Sequence, residues 1–229
     1  MVATGTPTFL VKQIRKDLQY SFDSIKIGEA TLGNFDVQNI LAAPLLFQTG
    51  YLTIKGHQEE FGLYELGYPN KEVESSLLDN LLSAYRDVFP GDSVEVISGL
   101  VLSLRSNYTE GMITHLNALI ASISYDHWKA ESESIFHIIV HLAFKKAGIN
   151  IQSEVHSAKG RCDVMIFTDQ YIYALELKLN GSAQAALDQI FEKQYLAPFV
   201  ADQRKKTAVG VNFSSEKWAV ENYLVQEVL

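Results

Sequence analysis

Apolar positions along this 229-residue chain change their spacing near Gly148. Before it they recur mostly at helical intervals, and after it they alternate. Pro7 to Lys16 is a short amphipathic run, and Asp36-Val-Gln-Asn-Ile-Leu-Ala-Ala43 opens with a capping residue. Tyr51 to Lys55 and Phe61 to Leu66 flank the polar Gly56-His-Gln-Glu-Glu60 and predict a hairpin. Pro69-Asn70 then leads into a helix over Lys71 to Tyr85. Phe89-Pro-Gly-Asp92 breaks the pattern, and helices over Ser93 to Leu104 and Thr109 to Ser122 are expected beyond it. The next helix, about Trp128 to Ala147, is apolar around most of its circumference, so its middle is buried, and Gly148 stands where a C′ glycine ends a helix. The alternating part predicts strands over Asn150 to His156, Arg161 to Phe167 and Tyr171 to Leu179. A helix over Ser182 to Leu196 follows, capped by Ser182 and stopped by Pro198. Strands over Thr207 to Phe213 and Asn222 to Val228 complete the pattern.

Composition narrows the class. With 47% hydrophobic and 20% charged residues, 5 Pro and 14 Gly, the chain is globular rather than disordered. Net charge is −8: residues 1–110 carry 8 basic and 14 acidic groups, and residues 111–229 carry 11 and 13. A uniformly basic nucleic-acid binder is excluded. A single cysteine, Cys162, excludes an internal disulfide and any all-cysteine zinc site. Its longest apolar stretches fall short of the roughly 18 residues that cross a bilayer, so no membrane partner is expected. Met1-Val-Ala-Thr-Gly-Thr-Pro7 lacks the basic and apolar regions of a signal peptide, and a cytoplasmic protein is expected. The helix, hairpin, helix order of the first part outlines a winged-helix module, or equally a small α+β packing unit.

The carboxylates of the alternating part fall into register. With Asp169-Gln170 as a two-residue turn, Phe167 faces Ile172, Met165 faces Ala174 and Asp163 faces Glu176. Ile172, Ala174, Glu176 and Lys178 then share one face, while Tyr173, Leu175, Leu177 and Leu179 line the other. If Ser157 to Gly160 is a four-residue loop, Glu154 faces Asp163 from the strand before. Three carboxylates on adjacent strands, with neighbouring Cβ atoms about 5 Å apart, repel one another unless something neutralises them. A hard divalent cation, Mg²⁺ or Mn²⁺, suits carboxylate oxygens and water. Lys178 lies on the same side, where it could hold or activate a water, and the Leu177 carbonyl is a further candidate oxygen ligand.

Asp163, twelve intervening residues and Glu176-Leu-Lys178, framed by helix, three strands, helix and strand, resemble the PD-(D/E)xK nuclease superfamily. Gln152 to Asp163 and Leu175 to Ser182 resemble more narrowly the nuclease-like C-terminal domain of bacterial AAA-ATPase-like proteins. Ala186-Leu-Asp-Gln-Ile190, Tyr195 and Val209 to Ser215 continue that likeness, as does the upstream connector, Pro44 to Lys55 and Leu66 to Asn70. The resemblance implies an α/β chain with a restriction-endonuclease-like αβββαβ core at 107–229. A helical and winged-helix-like connector precedes it at 1–106, with an ATPase-domain remnant at 1–20. It implies a metal-dependent nuclease, a hydrolase cutting phosphodiesters of nucleic acid, DNA before RNA. Asp163, Glu176, the Leu177 carbonyl and Glu154 would serve the metal and Lys178 the attacking water, with Gln189 approaching from the following helix. No Gly-x-x-x-x-Gly-Lys-Ser/Thr motif occurs, so ATP hydrolysis is not implied. A module that binds nucleic acid, pairs with an ATPase or self-associates without cutting is the alternative. Where relatives place an acidic residue before the sheet this chain has Lys129, and Glu133, one turn on, is the compensating candidate.

Other groups carry weaker signals. Lys159 and Arg161 could contact nucleic acid, or either could pair with Glu154. His137 and His141 have a spacing compatible with zinc, but their apolar neighbours favour core positions. Cys162 adjoins Val164 and Ile166 and reads as a buried thiol. Lys145-Lys146 and Arg204-Lys-Lys206 suit phosphate contacts or solvated helix and loop ends.

Overall fold

The alternating runs beyond Gly148 form a five-stranded mixed sheet in the second half of the chain. The computed structural model describes residues 8–16, 20–33, 41–86, 93–123, 132–157 and 160–228. They form two compact units, residues 1–84 and residues 85–229.

In the first unit, α1 (Thr8–Lys16), β1 (Ile25–Gly28), α2 (Glu29–Gly33), α3 (Ala42–Gln48), β2 (Thr53–Gln58) and β3 (Leu63–Gly67) precede α4 (Lys71–Arg86). Its sheet is antiparallel in the order β1-β3-β2. Leu10, Ile14, Phe22, Leu46, Leu66, Leu77 and Leu81 are buried. The hairpin runs further than the apolar pattern predicts, because His57 stacks on Tyr64 with ring centroids 4.3 Å apart and draws the polar stretch into the ladder. Strand β1 and the short α2 were not predicted. Asp36, expected to cap a helix, lies outside the described residues.

In the second unit, α5 (Val94–Arg105), α6 (Thr109–Ala121) and α7 (Ser132–Lys146) precede β4 (Asn150–Ser157), β5 (Gly160–Phe167) and β6 (Tyr171–Leu179). Next come α8 (Ala183–Glu192), β7 (Lys205–Ser214) and β8 (Ala219–Val228). The sheet order is β4-β5-β6-β7-β8, antiparallel except between β6 and β7. That parallel pair needs a crossover, which α8 supplies. Helix α5 packs on α6 and α7 and lies within the compact unit that begins at Tyr85. Helix α7 is buried nearly all round, as its composition predicts, and packs on β4 and β6. Gly148 takes φ +68° just past it.

Both predicted registers are observed. Met165 faces Ala174 and Phe167 faces Ile172, while Gln152 faces Met165 and Val155 faces Cys162. The β4–β5 hairpin is longer than expected, since Ser157 and Gly160 themselves pair and residues 158–159 alone connect them. Ser182 caps α8 as predicted, accepting from the Ala185 N–H at 3.0 Å. The helix ends at Glu192, short of Leu196, because Gln194 adopts φ +55°. There the Tyr195 N–H reaches the Ile190 carbonyl and the Gln194 N–H the Phe191 carbonyl, a Schellman turn that needs no glycine.

Close contact between α8 and the sheet depends on Gly210 in β7. A Cβ there would lie 2.3 Å from the Ala183 carbonyl oxygen and 2.5 Å from the Leu187 nitrogen, both backbone atoms that cannot swing aside. Gly210→Ala is therefore expected to lower unfolding stability by about 1–3 kcal/mol. Denaturant unfolding measures it, and an unchanged midpoint would mean that α8 rides further from β7.

Candidate active site

Pairing between β5 and β6 is observed as far as Val164 and Leu175, where the regular ladder ends, and Asp163 follows on the β5 side close enough to Glu176 to act on its charge. Asp163 there accepts the Leu177 N–H through Oδ2 at 2.9 Å. A strand residue directs its N–H and C=O to the same side, so the Leu177 carbonyl also faces β5. Glu176 is only 2% exposed, an unusual depth for a carboxylate. Its Oε1 accepts from Lys178 Nζ at 3.1 Å and from Gln189 Nε2. Lys178, about a third exposed, also donates to Gln189 Oε1 at 2.7 Å. Helix α8 thus brings Gln189 to the carboxylate and the ammonium together.

Glu176 Oε2 is buried, and no described group hydrogen-bonds it. Burial first, and the like charge of Asp163 second, push the Glu176 carboxyl up to about 7, against the hydrogen bond and charge of Lys178. A buried acceptor without a donor beside a second carboxylate fits a hard cation better than it fits a packed core. Among the described residues, no group of three His, Cys, Asp or Glu side chains is placed to hold an ion. The side chains of Glu154 and Glu133 lie outside the described residues, as do Lys159 and Lys129. By backbone register, position 154 falls between Ser153, which faces Val164, and Val155, which faces Cys162.

The Tyr195 hydroxyl, which the pattern did not single out for the site, donates to the Arg161 carbonyl at 2.7 Å and stands 3.3 Å from Gln189 Nε2. Asn212 is a second such group: its buried Oδ1 accepts the Gly181 N–H at 2.7 Å and holds the turn after Lys178. The signals in the sequence were a tyrosine just beyond α8 and a polar residue within an apolar strand. Arg161 is exposed.

Cys162 is buried, as expected, but in a different company. It clusters with Met165, Ile172, Ala174, Leu187 and Tyr195 under α8, rather than packing with Val164 and Ile166. Its thiol donates to the Val164 carbonyl as the regular ladder between β5 and β6 ends. Burial raises the thiol pKa strongly, so a disulfide reagent is expected to leave Cys162 unmodified in native protein and to titrate one thiol after unfolding. Prompt native labelling would contradict the packing. His141 is buried with Nδ1 2.6 Å from Ser153 Oγ, a core contact. An apolar cleft of about 320 Å³ at the end of α8, lined by Ile190, Phe191, Leu196, Val200, Lys206 and Val228, contains none of the carboxylates. No helix among the described residues is long and apolar enough to cross a membrane.

A mixed sheet with α8 as the crossover between its parallel strands is consistent with a restriction-endonuclease-like fold. Residues 131–223 match the model of the PD-(D/E)XK nuclease superfamily. The chain is also similar to a protein of Azotobacter chroococcum mcd 1 described as the uncharacterized protein in the vnfD 5' region, with 30% identity over 236 residues. That alignment covers 98% of this chain and 45% of the relative, so the chain spans about half the relative's length. No solved structure matches.

Proposed function

We propose that the second unit hydrolyses phosphodiester bonds of nucleic acid, DNA before RNA, with Mg²⁺ or Mn²⁺. The observation that carries this reading is the buried Glu176 carboxylate, one oxygen without a donor, between Asp163 and Lys178. Asp163 and Glu176 would hold the cation, with Glu154 and the Leu177 carbonyl as further oxygen donors and Glu133 as an outlying candidate. A divalent cation bound there would offset the carboxylate charges, polarise the phosphate and lower the pKa of a water. Lys178 would position that water and stabilise charge developing on the phosphate. Gln189 accepts from Lys178 through its amide oxygen and donates to Glu176 through its amide NH₂, and so fixes the separation between ammonium and carboxylate. Lys159 and Arg161 would contact the backbone of the nucleic acid.

The test is cleavage of labelled single- and double-stranded DNA by the full chain with Mg²⁺ or Mn²⁺. Cutting that stops when the cation is chelated supports the reading, and intact substrates under all these conditions would overturn it. The length of the relative favours a second possibility: a module working beside further domains on which cutting depends. The first unit would then be the connector, its β1-β3-β2 sheet with α3 and α4 on either side of the β2–β3 hairpin in sequence having the outline of a winged helix. Its hairpin tip carries exposed Glu59 and Glu60, which suit a protein contact better than a phosphate backbone.

A further inference from the structure

Gln189 is held by two charged groups and one neutral one. Lys178 and Glu176 are the groups that a substrate phosphate or a cation would engage; Tyr195 is not among them. Its ring is 3% exposed, at the turn where Gln194 reverses the chain after α8. Burial raises the pKa of its hydroxyl, which stays protonated and donates to the Arg161 carbonyl at 2.7 Å. With its proton committed there, the oxygen is left to accept from Gln189 Nε2, 3.3 Å away. A Cβ at position 160 would come within 3.3 Å of this hydroxyl, so Gly160 leaves room for the contact.

The amide can work in one orientation only. Reversed, its oxygen would face Glu176 Oε1 and its NH₂ would face the Lys178 ammonium, pairing acceptor with acceptor and donor with donor. Held as observed, it spends one N–H on Glu176, the other on Tyr195, and its oxygen on Lys178. We propose that Tyr195 is a positioning residue for the site: hung on the start of β5, its hydroxyl anchors the Gln189 amide and, through it, the Lys178 ammonium. The kinetic consequence rests on the nuclease reading. The placement itself belongs to the cation-free molecule.

The experiment uses the ¹⁵N-labelled full chain without divalent cation. The side-chain NH₂ signals of Gln189 are assigned by their loss in Gln189→Ala. In Tyr195→Phe they are expected to move toward the positions of solvent-exposed glutamines and to exchange faster with water. The ring keeps its packing, and a backbone spectrum unchanged away from the site verifies the fold. In DNA cleavage with Mn²⁺, Tyr195→Phe is expected to lower kcat about tenfold with KM unchanged. In the Gln189→Ala background it is expected to add no further loss. Unmoved Gln189 signals would overturn the proposal, as would a wild-type kcat in Tyr195→Phe or a fully additive loss in the double variant. A wild-type chain that cuts nothing would sink the nuclease reading instead, and the Gln189 signals alone would then decide the placement.

Discussion

Without divalent cation at pH 8, Glu176→Gln is expected to unfold at a higher temperature than wild type, although it loses cation binding and cuts at least about 10²-fold more slowly. The two effects share one cause. Glu176 is buried beside Asp163, and its carboxyl is raised from the ordinary 4.5 to about 7. Between those values the folded state binds more protons than the unfolded chain, so rising pH costs stability, and above about 7 the whole penalty is present. An amide carries no such charge and still accepts at Oε1 from Lys178. The gap between variant and wild type should therefore shrink as pH falls from 8 to about 4.5. Thermal unfolding in chelator at several pH values measures it, and equal stabilities at pH 8 would show that the burial of this carboxylate carries no penalty. Function runs the other way, because the charge that burial opposes is the charge a cation requires.

Lys178→Met is expected to separate binding from chemistry. Its ammonium, about a third exposed, competes with a cation for Glu176 Oε1 at 3.1 Å. Removing it should leave Mn²⁺ affinity equal to wild type or higher, while single-turnover cleavage falls by about 10²-fold or more. Calorimetry and quenched cleavage on one preparation give both numbers. If cation affinity collapsed with cleavage, Lys178 would be a structural partner of Glu176 rather than a group acting on the water or phosphate.

The register of the three central strands was legible because turn residues and alternation set it together. Asp169-Gln170 fixed which residues of β5 and β6 face each other, and the observed pairs agree. The β4 register survived an error in loop length, since lengthening a hairpin by one further pair leaves its facing positions unchanged. Strand β1 was not legible: four residues long, it pairs with β3, far along the chain. The end of α8 was missed because a glutamine takes the left-handed position that a glycine usually marks. Asp163, Glu176 and Lys178 could be read from a two-residue periodicity, whereas the bonds of Gln189 and Tyr195 depend on how closely α8 sits on β7. That distance is set by the missing side chain of Gly210, which no periodicity reports. The face of Cys162 was misjudged for a related reason, because alternation assumes a ladder that runs on, and here it changes at the site.

The most direct test of the central claim, that Asp163 and Glu176 form a cation site, is calorimetric titration of Mn²⁺ into the full chain and its Asp163→Asn variant at pH 8. The prediction is saturable binding by the wild type that Asp163→Asn loses while remaining folded. No binding by the wild type, or equal binding by both, would contradict it.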